Sequence, residues 1–296
     1  MTDLGGPTVA PWASAVGAAF DATGSSFFEL LRRTAPDAVP AALRGDASIH
    51  EVLRDIVEGT TVLALTYSDG NVVAGDRRAT AGNVISKKDM RKVFPADDYS
   101  AIAISGTAGP AMEMAKVFAT ELEHYEKVEG EPLSLEGKAN KLAHMVRANL
   151  PMAMQGLVVV PLFAGLDPRT LEGRIFEYDP AGGRYLATDY AANGSGGRDA
   201  RGVLKRLHEP DASEQDAIRL GVSALFDAAE EDSATGGPDL VRRIYPTVAV
   251  IDVEGYRELT EAEVAAHVEA TVAEHTAASD RDAAARRRAE EDHPVV

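Results

Sequence analysis

Apolar and polar positions change rhythm abruptly along this chain. From Thr60 to Tyr67 the residues are apolar and β-branched, which predicts a strand. Ser68-Asp69-Gly70-Asn71 is a turn signal, and Val72-Val73-Ala74-Gly75 reads as the returning strand. Further strands are predicted near Ile85–Ser86, at Lys92–Phe94 and at Ser100–Ser105. Two helices follow. Met114, Phe118, Leu122 and Tyr125 share one face of the first, and Leu135, Ala139, Leu142, Val146 and Leu150 share one face of the second. Strand patterns return at Leu157–Gly165, Arg174–Tyr178 and Arg184–Leu186, and Ala191 to Gly197 reads as a Gly-rich loop. A second helix pair is predicted over Arg198–Leu207 and beyond Ser213, where Ser213 and Asp216 form a capping pattern. Strands near Leu240–Arg243 and Thr247–Ile251 come next, then a C-terminal helix opened by Thr260 and Glu263. Strands and helices therefore come in blocks. This points to an α+β fold, with antiparallel sheets covered by helix pairs. One such arrangement is a four-layer α-β-β-α sandwich.

The flanks differ from this centre. Residues 1–59 are rich in Ala, Gly, Ser and Pro, with short helical patterns only at Ser26–Arg33 and His50–Val57. They read either as a loosely docked extension or as a propeptide. From Ser279 the chain is Ala-rich and charged, including Arg286-Arg287-Arg288 and Glu290-Glu291-Asp292, and a disordered tail is expected over 279–296.

Composition narrows the chemistry. The 296 residues carry 30 basic and 47 acidic side chains, a formal charge of −17, which disfavours nucleic acid as a partner. There is no cysteine, so disulfides and Cys–metal sites are excluded. The N-terminus lacks the charged and apolar segments of a signal peptide. The longest apolar run, Leu157–Leu166, contains Pro161 and is too short to span a bilayer. A cytoplasmic protein without a membrane partner is expected. No Gly-x-Ser-x-Gly elbow marks a serine nucleophile, and no HExxH pattern supports metal hydrolysis; no metal or cofactor is expected.

The composition break falls at Gly59-Thr60. An internal threonine hydroxyl is a weak nucleophile. A terminal one carries its own base, because a free α-amine titrates at about 7.7–8.0 and is substantially neutral near pH 7. Cutting the Gly59–Thr60 bond would create that arrangement, which is a recognised form of nucleophilic catalysis. Asp76 stands 16 residues beyond Thr60, and Lys92 a further 16. A strand–turn–strand can return Asp76 beside the start of the first strand. Taken alone, Asp76 and Lys92 read as an ordinary surface pair.

Four segments taken together resemble the proteasome β subunit family, actinobacterial type. They are Gly59-Thr60-Thr61-Val62, Ala74-Gly75-Asp76-Arg77-Arg78-Ala79-Thr80, Lys92-Val93-Phe94 and Ser105-Gly106-Thr107-Ala108-Gly109. The resemblance covers roughly Thr60 to Ala278, and implies a catalytic domain over 60–278 behind a propeptide over 1–59. It implies the four-layer N-terminal-nucleophile hydrolase fold and a threonine endopeptidase activated by autocatalytic cleavage of Gly59–Thr60. It also implies site roles: Thr60 as nucleophile, Lys92 as the buried cation beside it, and Asp76 as the group holding Lys92. Gly106 would supply the oxyanion amide, and Thr80 the backbone that pairs with an extended substrate. Ser195 and Asp232 would support the threonine amine. Ala79, Met90, Phe94, Ile104, Ala108 and Met112 would line the pocket for the residue before the cut. The implied partners are α subunits and further β subunits in seven-membered rings. A ring-shaped ATPase and substrates tagged with a ubiquitin-like protein would bind the assembled particle. The sequence departs from the family pattern at Gly197 and Thr235, where serine is common. Two other readings share these residues: another N-terminal-nucleophile amidase or peptidase, and an inactive structural ring subunit.

Overall fold

A computed structural model describes residues 57–292. Most of the proposed propeptide, including the helical pattern at Ser26–Arg33, lies outside the described residues. So does the pattern at His50–Val57, apart from Val57, which is in a strand.

Two five-stranded antiparallel sheets form the centre. The first contains β2 (Thr61–Tyr67), β3 (Gly70–Gly75), β11 (Tyr190–Gly194), β12 (Thr247–Asp252) and β13 (Gly255–Glu258), in the order β11-β2-β3-β12-β13. The second contains β6 (Val93–Asp97), β7 (Ser100–Gly106), β8 (Val159–Asp167), β9 (Glu172–Tyr178) and β10 (Arg184–Ala187), in the order β10-β9-β8-β7-β6. A three-stranded ribbon stands apart from both: β1 (Val57–Glu58), β4 (Ala79–Ala81) and β5 (Val84–Lys87), with β4 in the middle.

Strand periodicity explains the layering, because successive side chains point to opposite faces. In β2, Leu63, Leu65 and Tyr67 face a helical layer, while Val62 and Ala64 face the other sheet. In β7, Ile102 and Ile104 face helices, while Ala101 and Ala103 face the other sheet. Small residues thus fill much of the seam between the sheets, and larger ones lie under the helices. Helices α1 (Ala108–Glu129) and α2 (Leu135–Ala148) cover the second sheet, followed by the single turn α3 (Leu150–Ala153). Helices α4 (Gly197–Leu207), α5 (Glu214–Glu231) and α6 (Glu261–Asp292) cover the first. This is the α-β-β-α sandwich. The two expected caps form, with Ser213 accepting from Asp216 N and Thr260 N donating to Glu263, and the structure adds one at Ser134, which accepts from Gly137 N.

Three expectations need correction. Ala191–Gly197 is not all loop: Tyr190–Gly194 is the edge strand β11, paired residue for residue with β2. Its small side chains carry little strand pattern, and the backbone ladder to β2 supplies what they do not. Leu240–Arg243 is not a strand. Asp239 and Ile244 form a lone bridge, and Asp239 accepts from Arg242 N, which closes a turn instead. The segment after Ala278 is not a disordered tail as far as Asp292, because α6 runs to that residue. Its Ala, Glu and Arg are strong helix formers. Residues 293–296 lie outside the described residues.

Candidate active site

Thr60 immediately precedes β2 and is buried, 3% exposed. Asp76 follows β3, and its backbone N–H donates to Thr61 O (3.0 Å). The β2–β3 hairpin thus returns Asp76 to the start of β2, where its Oδ1 accepts from Thr61 N (2.7 Å). Lys92 immediately precedes β6 in the other sheet and is tied to β7 by Ile104 N donating to Lys92 O (3.0 Å). The two sheets therefore bring their ends together at this point.

Lys92 and Asp76 are not a surface pair. Both side chains are 0% exposed, with Lys92 Nζ 2.5 Å from Asp76 Oδ1. The ammonium uses all three of its donors: Asp76 Oδ1, Arg78 O (2.5 Å) and Gly59 O (3.1 Å). Asp76 Oδ2 in turn accepts from Arg78 N (2.9 Å) and Gly236 N (2.8 Å). Such complete pairing is what a buried charge requires. Burial pushes the Lys92 ammonium below the ordinary lysine value, although Asp76 pulls the other way.

The Gly59–Thr60 junction is held in a specific shape. Thr60 Oγ1 donates to Gly59 O (2.6 Å), so that one carbonyl accepts from both the threonine hydroxyl and the lysine. Gly59 has φ +96°, and a Cβ there would lie 2.5 Å from Thr80 Oγ1, so both backbone and space demand glycine. Upstream, β1 pairs antiparallel with β4, with Glu58 opposite Thr80. The chain before Gly59 thus adds a strand to the segment expected to hold an extended substrate.

On the other side, Thr60 O accepts from Ser195 N (2.9 Å), and the Ser195 hydroxyl has two acceptors for its one hydrogen, Thr60 O (3.4 Å) and Asp232. Asp232, at the C-terminal end of α5, accepts from Thr235 Oγ1 (2.6 Å) and Ala234 N (3.1 Å). Burial alone would raise its carboxyl, but bonds from the Ser195 and Thr235 hydroxyls and the Ala234 and Thr235 amides hold it below the usual range. Gly106 ends β7, two residues past Ile104 and so beyond Lys92 on the neighbouring strand.

Of the expected pocket residues, Ala79, Met90 and Ala108 form one buried apolar cluster. Phe94 and Ile104 pack into the adjoining core beneath α1, and Met112 is 39% exposed on the same helix.

Several participants escaped sequence reasoning. Arg78 and Gly236 act through backbone atoms, which leave no side-chain signature. Thr61 is fully buried, with its Oγ1 2.6 Å from Thr235 Oγ1. A hydroxyl at the end of the apolar row Leu63, Leu65, Tyr67 was the available clue. Thr235, noted only as a departure, makes the hydroxyl bond to Asp232 itself.

Residues 56–241 match the family described as "Proteasome subunit". "Proteasome subunit beta" of Acidimicrobium ferrooxidans is 54% identical over 257 residues, covering 86% of this chain and 92% of that protein. "Proteasome subunit beta" of Streptomyces griseus is 55% identical over 250 residues, covering 83% and 87%. That of Acidothermus cellulolyticus is 52% identical over 254 residues, covering 84% and 87%. The chain belongs to the proteasome subunit family, among its β subunits. Membership implies assembly with other proteasome subunits in rings. No helix among the described residues is long and apolar enough to cross a membrane.

The buried pair makes a direct prediction. Asp76→Ala should leave the Lys92 charge without its carboxylate and destabilise the chain by about 3–5 kcal/mol. Urea denaturation measures this. A midpoint equal to that of the unaltered chain would mean that the pair is not buried as described.

Proposed function

We propose that this chain is the precursor of a threonine endopeptidase, in which Thr60 attacks the Gly59 carbonyl and frees its own amine. The observation that carries the reading is the shared carbonyl: Gly59 O accepts from Thr60 Oγ1 at 2.6 Å and from Lys92 Nζ at 3.1 Å. A cation bonded to a carbonyl oxygen stabilises the negative charge that develops there during attack. The positive φ of Gly59 and the β1–β4 pairing hold the bond beside the hydroxyl.

Atoms balance over two steps. Thr60 Oγ1 bonds to the Gly59 carbonyl carbon, the carbon–nitrogen bond breaks, and the hydroxyl proton ends on the Thr60 nitrogen. Water then cleaves the resulting ester, restoring the hydroxyl and releasing Gly59 as a carboxylate. Departure of that carbonyl leaves Lys92 Nζ with a donor free to face Thr60 Oγ1, since both had shared the same acceptor. The new α-amine then serves as base for attack on other peptides, with Ser195 and Asp232 supporting it and Gly106 supplying the oxyanion amide. An incoming substrate takes the place of β1 along Thr80. Propeptide 1–59, catalytic domain from Thr60, and a cytoplasmic ring assembly with α subunits complete the reading. A ring-shaped ATPase and substrates carrying a ubiquitin-like tag would engage the particle rather than this chain.

Two measurements test it. Lys92→Ala should reduce peptide hydrolysis by the assembled particle at least a hundredfold. Lys92→Arg should not restore it, because a planar guanidinium cannot occupy the three-acceptor site of an ammonium. Near-normal rates in either variant would remove Lys92 from the mechanism.

Specificity follows from the pocket. Ala79, Met90 and Ala108 form an apolar cluster, and none of Ala79, Met90, Phe94, Ile104, Ala108 and Met112 is charged. Burying a Leu or Phe side chain against such a surface contributes about 1.5–3 kcal/mol. An acidic or basic side chain would lose its hydration with no partner. Fluorogenic peptides ending in Leu, Tyr or Phe should be cut at least tenfold faster than those ending in Asp, Glu, Lys or Arg. Comparable rates for acidic and aromatic peptides would defeat the pocket assignment while leaving Thr60 in place.

A further inference from the structure

Thr61 joins the two halves of the candidate site. Its backbone N–H donates to Asp76 Oδ1, the same oxygen that receives Lys92 Nζ. Its side chain points the other way, with the row Leu63, Leu65 and Tyr67 that faces the helices. There Oγ1 lies 2.6 Å from Thr235 Oγ1 and accepts from Gly196 N at 2.9 Å.

Proton counting fixes the direction of this chain. A hydroxyl has one hydrogen to give. Thr235 Oγ1 gives its hydrogen to Asp232 Oδ2, which as a carboxylate can only accept. The short contact between the two threonines is therefore a bond donated by Thr61. The sequence of donors runs Gly196 N–H to Thr61 Oγ1–H to Thr235 Oγ1–H to Asp232. Thr61 and Thr235 are both 0% exposed, so water does not substitute for a missing member. Space is equally constrained: a Cβ on Gly196 would lie 2.6 Å from Thr235 Oγ1 and 2.8 Å from Thr61 Oγ1.

We propose that the Thr61 hydroxyl is a positioning residue, which locks the Ser195–Gly196 turn and the Asp232–Thr235 loop onto the start of β2 and so fixes Thr60. The proposal rests on the catalytic reading of Thr60 given above. Its force comes from what cleavage removes. In the precursor, Thr60 is held from both sides. After cleavage it is a chain end, tethered through Thr61 and by Ser195 donating to Thr60 O. The Thr61 backbone is held independently by Asp76, so what the Thr61 hydroxyl adds is its hold on the second tether, through Gly196 N–H donating to Thr61 Oγ1 next to Ser195.

The test uses the full chain assembled with its ring partners, comparing Thr61→Val, which keeps the branched shape, with Thr61→Ser, which keeps the hydroxyl. Thr61→Val should lower kcat for peptide hydrolysis at least tenfold with KM within twofold. Thr61→Ser should stay within threefold of the unaltered particle. The double variant Thr61→Val with Thr235→Val should be no slower than the slower single variant, because each change breaks the same chain. Independently of activity, amide hydrogen exchange across Gly194–Gly197 should quicken at least tenfold in Thr61→Val and remain unchanged in Thr61→Ser. Full activity in Thr61→Val, equal damage in Thr61→Ser, additive losses or unchanged exchange would each overturn the proposal. If Thr61→Val fails to assemble, Thr61→Ser decides, since loss of its activity or faster exchange contradicts a role for the hydroxyl. Failure of the catalytic reading looks different: Thr60→Ala would retain peptidase activity, whatever the exchange measurement shows at Gly194–Gly197.

Discussion

A lysine ammonium buried with no exposed surface dictates the arrangement around it. It needs a carboxylate at contact distance and acceptors for its remaining hydrogens, or it cannot stay charged in the interior. Asp76 supplies the first, and the carbonyls of Arg78 and Gly59 supply the rest. The acceptors come from two pieces of chain, the Asp76–Arg78 connection between β3 and β4 and the junction before β2, and Lys92 itself stands on a third, immediately before β6. Satisfying Lys92 therefore fixes the relative positions of three chain segments. The Asp76 carboxylate extends this by binding the amides of Thr61, Arg78 and Gly236.

The sandwich makes that convergence possible. Lys92 belongs to one sheet, and Thr60 and Asp76 to the other, so the pair bridges the layers at their ends. Small residues such as Ala64, Ala101, Ala103 and Ala164 line the seam and let the sheets approach. The helices contribute through their termini. Asp232 lies at the end of α5, and Gly196 immediately precedes α4. The site is thus built where elements stop, and rigid layers behind it limit the movement of the groups that must meet.

Much of this was legible from the pattern of residues. The apolar runs of Thr60–Tyr67 and Ser100–Ser105, and the helical stripes of Met114, Phe118 and Leu122 and of Leu135, Ala139 and Leu142, correspond to elements that the fold contains. Long, periodic segments speak clearly because burial repeats along them. Failures came where backbone bonding overrides side-chain character. Tyr190–Gly194 is a strand because β2 offers it a ladder, not because Ala191, Ala192 and Gly194 favour one. Val241 looks like a strand residue but is 91% exposed in a turn closed by Asp239. In the site, Thr60, Asp76 and Lys92 could be singled out by spacing and resemblance. Their burial could not, since an ion pair reads the same in sequence whether exposed or enclosed. The carbonyl of Arg78, the amide of Gly236 and the inward turn of Thr61 emerge only from three-dimensional placement.

The central claim is that the Gly59–Thr60 bond is cut by the chain itself and that the resulting terminal threonine is the working nucleophile. Intact-mass measurement of this chain in the purified, active particle tests it most directly. The account predicts a mass beginning at Thr60 for the unaltered chain, and the full uncut mass for Thr60→Ala in an assembled but inactive particle. A chain that keeps residues ahead of Thr60 in a fully active particle would contradict it.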